Sequence, residues 1–233
     1  MTKKKKEITD KYFTRGELWL WFSSLFAITL SFLVFDRTGW LSFAASLIGA
    51  TSLILCAKGN PIGQVLIIIF SAIYGYVAFC ARYYGEMLTY VGMTLPMAVA
   101  ALISWLRHPY RGKKSEVEVA RIGKSDVIIM LLLSATVTAV FYFILEYFNT
   151  ANLIVSTLSV TTSFAAVFLT AKRSPYFALA YALNDLVLIL LWGSATLSDT
   201  SYVSVLVCFI TFLFNDIYGF ISWRRMARRQ SAC

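Results

Sequence analysis

Apolar residues along this chain fall into eight long runs, 18–35, 40–57, 62–80, 87–106, 125–146, 152–171, 176–193 and 201–223, separated by short polar breaks. A helix needs about 20 mostly apolar residues to cross ~30 Å of hydrocarbon. A spanning segment must also satisfy its backbone hydrogen bonds within itself, which favours helices. The pattern predicts an all-α integral membrane protein with eight spans. Only one connection, 107–124, is long; it is polar and is expected to hold irregular or amphipathic structure.

The basic residues give the runs a direction. One side receives six Lys and Arg up to Arg15, then Lys58, six between Arg107 and Lys124, then Lys172, Arg173, Arg224, Arg225, Arg228 and Arg229; the other receives only Arg37 and Arg82. By the positive-inside rule both termini are cytoplasmic, in a multi-pass protein of the cell membrane. The net charge of +9 is then an insertion signal, and no nucleic-acid partner is expected. Lys3 to Lys6 lead into polar sequence without a small-residue cleavage site, so no removable signal is expected.

A repeat lies within the pattern. Ala57-Lys58-Gly59-Asn60-Pro61 returns as Ala171-Lys172-Arg173-Ser174-Pro175, and Ser104-Trp105-Leu106-Arg107 returns as Ser222-Trp223-Arg224-Arg225. These landmarks bracket two three-helix units, 40–106 and 152–223, joined by a linker span at 125–146. The first span lies outside them. The units start four spans apart and so run parallel, a 3+1+3 bundle plus an extra N-terminal helix. Residues 1–17 form a basic cytoplasmic segment, 18–223 the transmembrane domain and 224–233 a basic tail. Parallel-repeat carriers bind substrate near the midplane between their repeats.

The composition, 59% hydrophobic and 14% charged with a mean hydropathy of +0.71, excludes a soluble domain. Candidate chemistry sits in the last two spans, where Asn184-Asp185 and Asn215-Asp216 interrupt apolar sequence. An Asp near the bilayer centre costs about 2.5–3.5 kcal/mol on insertion scales, so it faces protein or water. Tyr181, Asp185, Leu188 and Trp192 share a helical stripe with Asn184 beside it; Thr211, Asn215, Tyr218 and Ser222 share another with Asp216 at its edge. Gln64, Ser71 and Tyr74 form a shorter polar line in the third span. The candidate substrate-binding set is Gln64, Tyr74, Tyr181, Asn184, Asp185, Trp192, Asn215, Asp216 and Tyr218. Carboxylates among aromatic rings suit a flat cation. Two structural readings stand beside this one. Paired Asn and Asp also hold membrane helices together, and the serines at 42, 46, 156, 159 and 163 read as packing contacts.

Nothing in the sequence reads as catalytic: it has no His–Glu metal motif, no phosphate loop and no nucleophile with a neighbouring base. The four Cys lack metal-ligand spacing and read as small apolar residues, and His108 reads as a solvated loop residue. No metal or cofactor is expected.

Asn60-Pro61-Ile62-Gly63, Ala72-Ile73-Tyr74, Tyr83-Tyr84-Gly85-Glu86-Met87, Pro96 with Trp105, and the closing Phe214-Asn215-Asp216-Ile217-Tyr218-Gly219 with Trp223-Arg224-Arg225 resemble the PnuC-type nicotinamide riboside (vitamin) transporters, from Ile48 to the end. The resemblance implies a SWEET-like fold, a homotrimer, and facilitated diffusion of an unphosphorylated vitamin, most simply nicotinamide riboside, trapped by cytoplasmic phosphorylation. The riboside carriers of that family have Trp seven and four residues before an Asn in the seventh span; here those positions are Phe177 and Ala180. Thiamine or riboflavin therefore stays open as substrate. A different class of role is a membrane scaffold that offers the 107–124 loop to a partner enzyme.

Overall fold

The computed structural model describes residues 12–80, 87–150 and 152–232. Among the described residues, eight helices are long and apolar enough to cross a membrane: α1 Arg15–Phe35, α2 Trp40–Ala57, α3 Ile62–Cys80, α4 Leu88–Arg107, α5 Lys124–Tyr147, α6 Leu153–Ala171, α7 Phe177–Thr196 and α8, whose α-helical part is Val203–Ser231. α2 packs on α3 and α8, α7 on α6 and α8, α4 on α3 and α6, and α1 on α2 and α8. α5 touches mainly α6 and is the least buried of the eight.

Local chemistry explains most boundaries. Thr14 and Glu17 close a reciprocal capping box at the start of α1, each accepting from the other's backbone N–H. In α4 the segment Leu88–Thr94 is π-helical just before Pro96. Proline has no N–H to offer the preceding turn and its ring crowds the carbonyl four residues back, so a wider turn absorbs the misfit. α8 does not stop at 223 but continues helical through Ser231. Hydropathy fails there because the turns leave the apolar layer, yet Met226 is still buried and Gln230 still has partners.

The 107–124 connection is a small antiparallel hairpin, β1 Pro109–Tyr110 and β2 Lys113–Val117. Arg111 and Gly112 turn it with φ of 49° and 75°, the left-handed pair that a two-residue hairpin demands. It continues as a strap to α5. Val117 is fully buried and Val119 and Ile122 pack with it, so the apolar side of this loop is spent on the protein's own core rather than offered to a partner.

At the basic end of the bundle two turns are built alike. α2 ends in a Schellman turn, with Asn60 N–H donating to Leu55 O (3.0 Å) and Gly59 N–H to Cys56 O (2.9 Å). α6 ends the same way, with Ser174 N–H to Leu169 O (3.0 Å) and Arg173 N–H to Thr170 O (3.0 Å). Gly59 and Arg173 are the left-handed residues, φ 68° and 56°. The last helical carbonyls are then capped from elsewhere. Trp105 Nε1 and Ser104 Oγ on α4 donate to Thr170 O and Ala171 O of α6 (2.9 and 2.7 Å). Trp223 Nε1 and Ser222 Oγ on α8 donate to Cys56 O and Ala57 O of α2 (2.8 and 2.7 Å). Both indoles are fully buried with ring centroids 5.3 Å apart, and Phe177 stands on edge against Trp223 at 4.7 Å.

Candidate functional site

Above that aromatic floor lies a cavity of about 730 Å³, bounded by α2, α3, α4, α6, α7 and α8, with Leu145 of α5 also on its wall. It runs from Phe148, Asn149, Ser198 and Tyr202, in the connections at the end away from the basic residues, down to Cys56, Gln64 and Phe177. The volume matches that of pockets which enclose small organic molecules.

α7 supplies the polar wall because its 3.6-residue period brings Tyr181, Asn184, Asp185, Leu188 and Trp192 to the cavity. Asn184 Oδ1 accepts from Thr162 Oγ1 (2.8 Å) and Ser163 Oγ (3.0 Å) of α6, which fixes the amide. Across from α7, α8 presents Phe209, Phe212 and Asp216, spaced three and four residues apart. Asp185 and Asp216 are each 4% exposed, and both line the cavity. Asp185 Oδ2 has no partner among the described residues. Among those residues no Lys, Arg or His lines the cavity, so nothing positive offsets the pair.

The nine residues singled out from the sequence separate into two groups. Gln64, Tyr181, Asn184, Asp185, Trp192 and Asp216 line the cavity. Gln64 donates to Cys56 Sγ at 3.4 Å, Tyr181 stands edge-on to Phe177 with centroids 6.3 Å apart, and Trp192 stacks at an angle against Tyr202 with centroids 5.4 Å apart. Tyr74 stands behind the wall, packed on Tyr90 (4.5 Å) and Phe70 (5.7 Å), which do line it. Asn215 and Tyr218 are turned the other way, towards α1. Asn215 Nδ2 donates to Ser24 Oγ (2.8 Å) and Thr211 O (2.7 Å), and Tyr218 donates to Glu17 Oε1 (2.7 Å). Glu17 in turn pairs with Lys58 at 3.0 Å, so this face of α8 is a polar seam that holds α1. Sequence reasoning missed Phe70, Tyr90, Phe209 and Phe212. The 209, 212, 216 spacing points to the last two, but only once Asp216 rather than Asn215 is placed at the centre of the stripe. Of the two departure positions, Phe177 is in the cavity floor, while Ala180 packs below it in the cluster around the two tryptophans.

Comparison with known proteins agrees with this architecture. The chain is 24% identical over 217 residues to the nicotinamide riboside transporter PnuC of Neisseria mucosa, covering 91% of this chain and 82% of that one. It is 22% identical over 191 residues to the protein of the same name from Haemophilus influenzae, covering 82% and 81%. A solved structure described as the crystal structure of the vitamin B3 transporter PnuC superposes with a TM-score of 0.80 at 22% identity, covering 94% of each chain; it shows a shared fold. The profile of the nicotinamide mononucleotide transporter family matches residues 39–225, a stretch that takes in the cavity walls, the strap and both tryptophans of the floor, and the chain belongs to that family of membrane transporters.

Proposed function

We propose that this transporter carries nicotinamide riboside across the cell membrane through the α7–α8 cavity, down its gradient, with cytoplasmic phosphorylation as the trap. One observation carries the reading. The Asp185–Asp216 pair sits in a cavity lined by aromatic rings with no cation against it, a complement for a single delocalised positive charge. Nicotinamide riboside has such a charge on its pyridinium ring. The same observation ranks the alternatives, because thiamine carries a cationic thiazolium whereas riboflavin is neutral. Phe177 and Ala180, in place of tryptophans, keep thiamine as the second reading.

The architecture proposed with it is a SWEET-like 3+1+3 bundle of parallel repeats, α2–α4 and α6–α8, with α5 as linker, α1 outside and both termini cytoplasmic. The matched Schellman turns and reciprocal Ser-Trp caps support the repeat, and the clustering of Lys and Arg supports the orientation. In this orientation the cavity faces outward and the tryptophan floor closes the cytoplasmic side. The domain limits 1–17, 18–223 and 224–233 and the homotrimer belong to the same proposal, and α5 is the span with most surface free for a neighbouring copy or lipid.

Proteoliposomes holding the purified protein alone test the function. Labelled nicotinamide riboside should equilibrate across the membrane, compete with thiamine more than with riboflavin, and stop at equality without an internal kinase. Absence of riboside flux in sealed vesicles would sink the reading.

A further inference from the structure

The strap between α4 and α5 bonds to both of the matched turns. Val117 N–H donates to Gly59 O at 2.9 Å, and three residues later Ala120 N–H donates to Arg173 O at 3.0 Å. Gly59 and Arg173 hold the same place in their turns, the left-handed residue that ends α2 or α6. Four residues of strap therefore hold one equivalent carbonyl from each half of the bundle. The Val117 side chain is fully buried in the cluster formed by Trp105, Trp223, Phe177 and Cys56, so the strap also stoppers the floor from below.

The extension of α8 keeps the strap in place. Gln230 Oε1 accepts from Val119 N–H (2.8 Å), and its Nε2 donates to Val117 O (3.0 Å) and Glu116 Oε1 (3.0 Å). Arg229 forms an ion pair with the same Glu116. These contacts satisfy the carbonyl of the buried valine and the N–H two residues further on, so they add to the apolar burial that keeps Val117 against the floor. Neither Gln230 nor Glu116 reaches the cavity.

We propose that residues 117–120 are a bolt across the inner gate, and that Gln230 and Glu116 are the positioning residues that hold the bolt shut. The two halves cannot part at the basic end while one strap holds Gly59 and Arg173 together, so each inward opening must release one of these two bonds. The proposal rests on the alternating movement and the orientation given under Proposed function. It adds that the helical tail, far from the substrate, sets how often the carrier opens inward.

Full-length protein with Ala178→Cys supplies a reporter, since Ala178 is fully buried in the floor cluster and the change is small. An impermeant maleimide is added to the cytoplasmic face of inside-out vesicles, and its rate of reaction at position 178 is followed by site-resolved mass spectrometry. Loss of the Gln230 contacts, at about 1 kcal/mol per hydrogen bond, should speed labelling roughly fivefold or more in Gln230→Ala, with a similar rise in Glu116→Ala. Arg224→Ala, on the same helix but bonded to Tyr176 instead, should leave the rate unchanged. In a second arm, Glu116→Cys with Arg229→Cys is joined by a short reducible crosslinker. Labelling and riboside uptake should both stop and return on reduction. Unchanged labelling in Gln230→Ala and Glu116→Ala, an equal rise in Arg224→Ala, or full uptake through the crosslinked protein would overturn the bolt. The labelling arm uses no substrate, so failure of riboside uptake alone bears on the proposed function and not on the bolt.

Discussion

Trp105 and Trp223 make matching caps: each indole N–H bonds the last turn of another helix, Trp105 of α4 to Thr170 O of α6 and Trp223 of α8 to Cys56 O of α2. Each of those carbonyls already accepts the N–H of its own Schellman turn, so one indole fills the second lone pair of a helix end. The arrangement closes the cavity on one side with bonds that run from α4 to α6 and from α8 to α2, and it leaves the two carboxyl groups above it in a dead-end pocket.

Replacing either tryptophan by phenylalanine keeps the ring and removes the N–H. A buried carbonyl stripped of one partner costs about 1–3 kcal/mol. Trp105→Phe and Trp223→Phe should therefore lower the unfolding midpoint in detergent by similar amounts, because the two sites are built alike. A large loss for one and none for the other would contradict the equivalence of the two halves.

Asp185→Asn and Asp216→Asn each replace one of the two carboxyl groups on the cavity wall by a neutral amide. The cavity then offers less counter-charge to a cationic ring. Transfer of roughly 1–2 kcal/mol of cation attraction to solvent corresponds to about a tenfold rise in the half-saturating concentration of nicotinamide riboside, measured as initial uptake in proteoliposomes. Binding of a neutral analogue such as nicotinamide should change far less. Equal losses for the cation and the neutral compound would mean that the pair acts on the fold instead.

How much of this was legible in the sequence follows from which forces leave a one-dimensional trace. Burial of spans in hydrocarbon depends on local composition, so all eight helices were readable, seven of them to within a few residues. The π-helical turn inside α4 was not, because the misfit at Pro96 leaves no trace in hydropathy, and neither was the charged continuation of α8 past Trp223, which is decided by contacts with other segments. The α7 stripe was readable since its polar residues point one way. On α8 both faces carry hydrogen-bonding groups, one towards the cavity through Asp216 and one towards α1 through Asn215 and Tyr218. Spacing alone could not say which face was which. The pairing of Glu17 with Lys58 and Tyr218 links residues far apart in the chain and left no signal in either neighbourhood.

That seam gives a contrast to the carboxyl pair. Tyr218→Phe removes a donor from the buried Glu17, and Asn215→Ala removes the bond to Ser24. Each should cost about 1–2 kcal/mol of stability, read as a lower midpoint, while half-saturation for the substrate stays within about twofold of wild type. A tenfold loss of affinity in Tyr218→Phe with an unchanged midpoint would put that face in the transport path.

Gly59 and Arg173 stand at matched turns with φ of 68° and 56°, and they differ in what the left-handed backbone costs them. Glycine pays no steric penalty there, whereas an L-residue pays about 1–2 kcal/mol. Gly59→Ala should therefore be destabilising twice over. It meets the backbone penalty, and its Cβ would lie 3.2 Å from Met226 Cε and 3.3 Å from Val117 Cγ1, the side chain that stoppers the floor. Arg173→Gly removes the strain while the carbonyl that holds Ala120 stays in place. It should raise the midpoint by an amount equivalent to about 0.5–1 kcal/mol, less the greater freedom glycine gives the unfolded chain. Thermal unfolding of the two variants in the same detergent checks the pair. A gain for Arg173→Gly and a loss for Gly59→Ala would follow from the matched turns, and a loss in both would mean that the Arg173 side chain itself holds the basic end together.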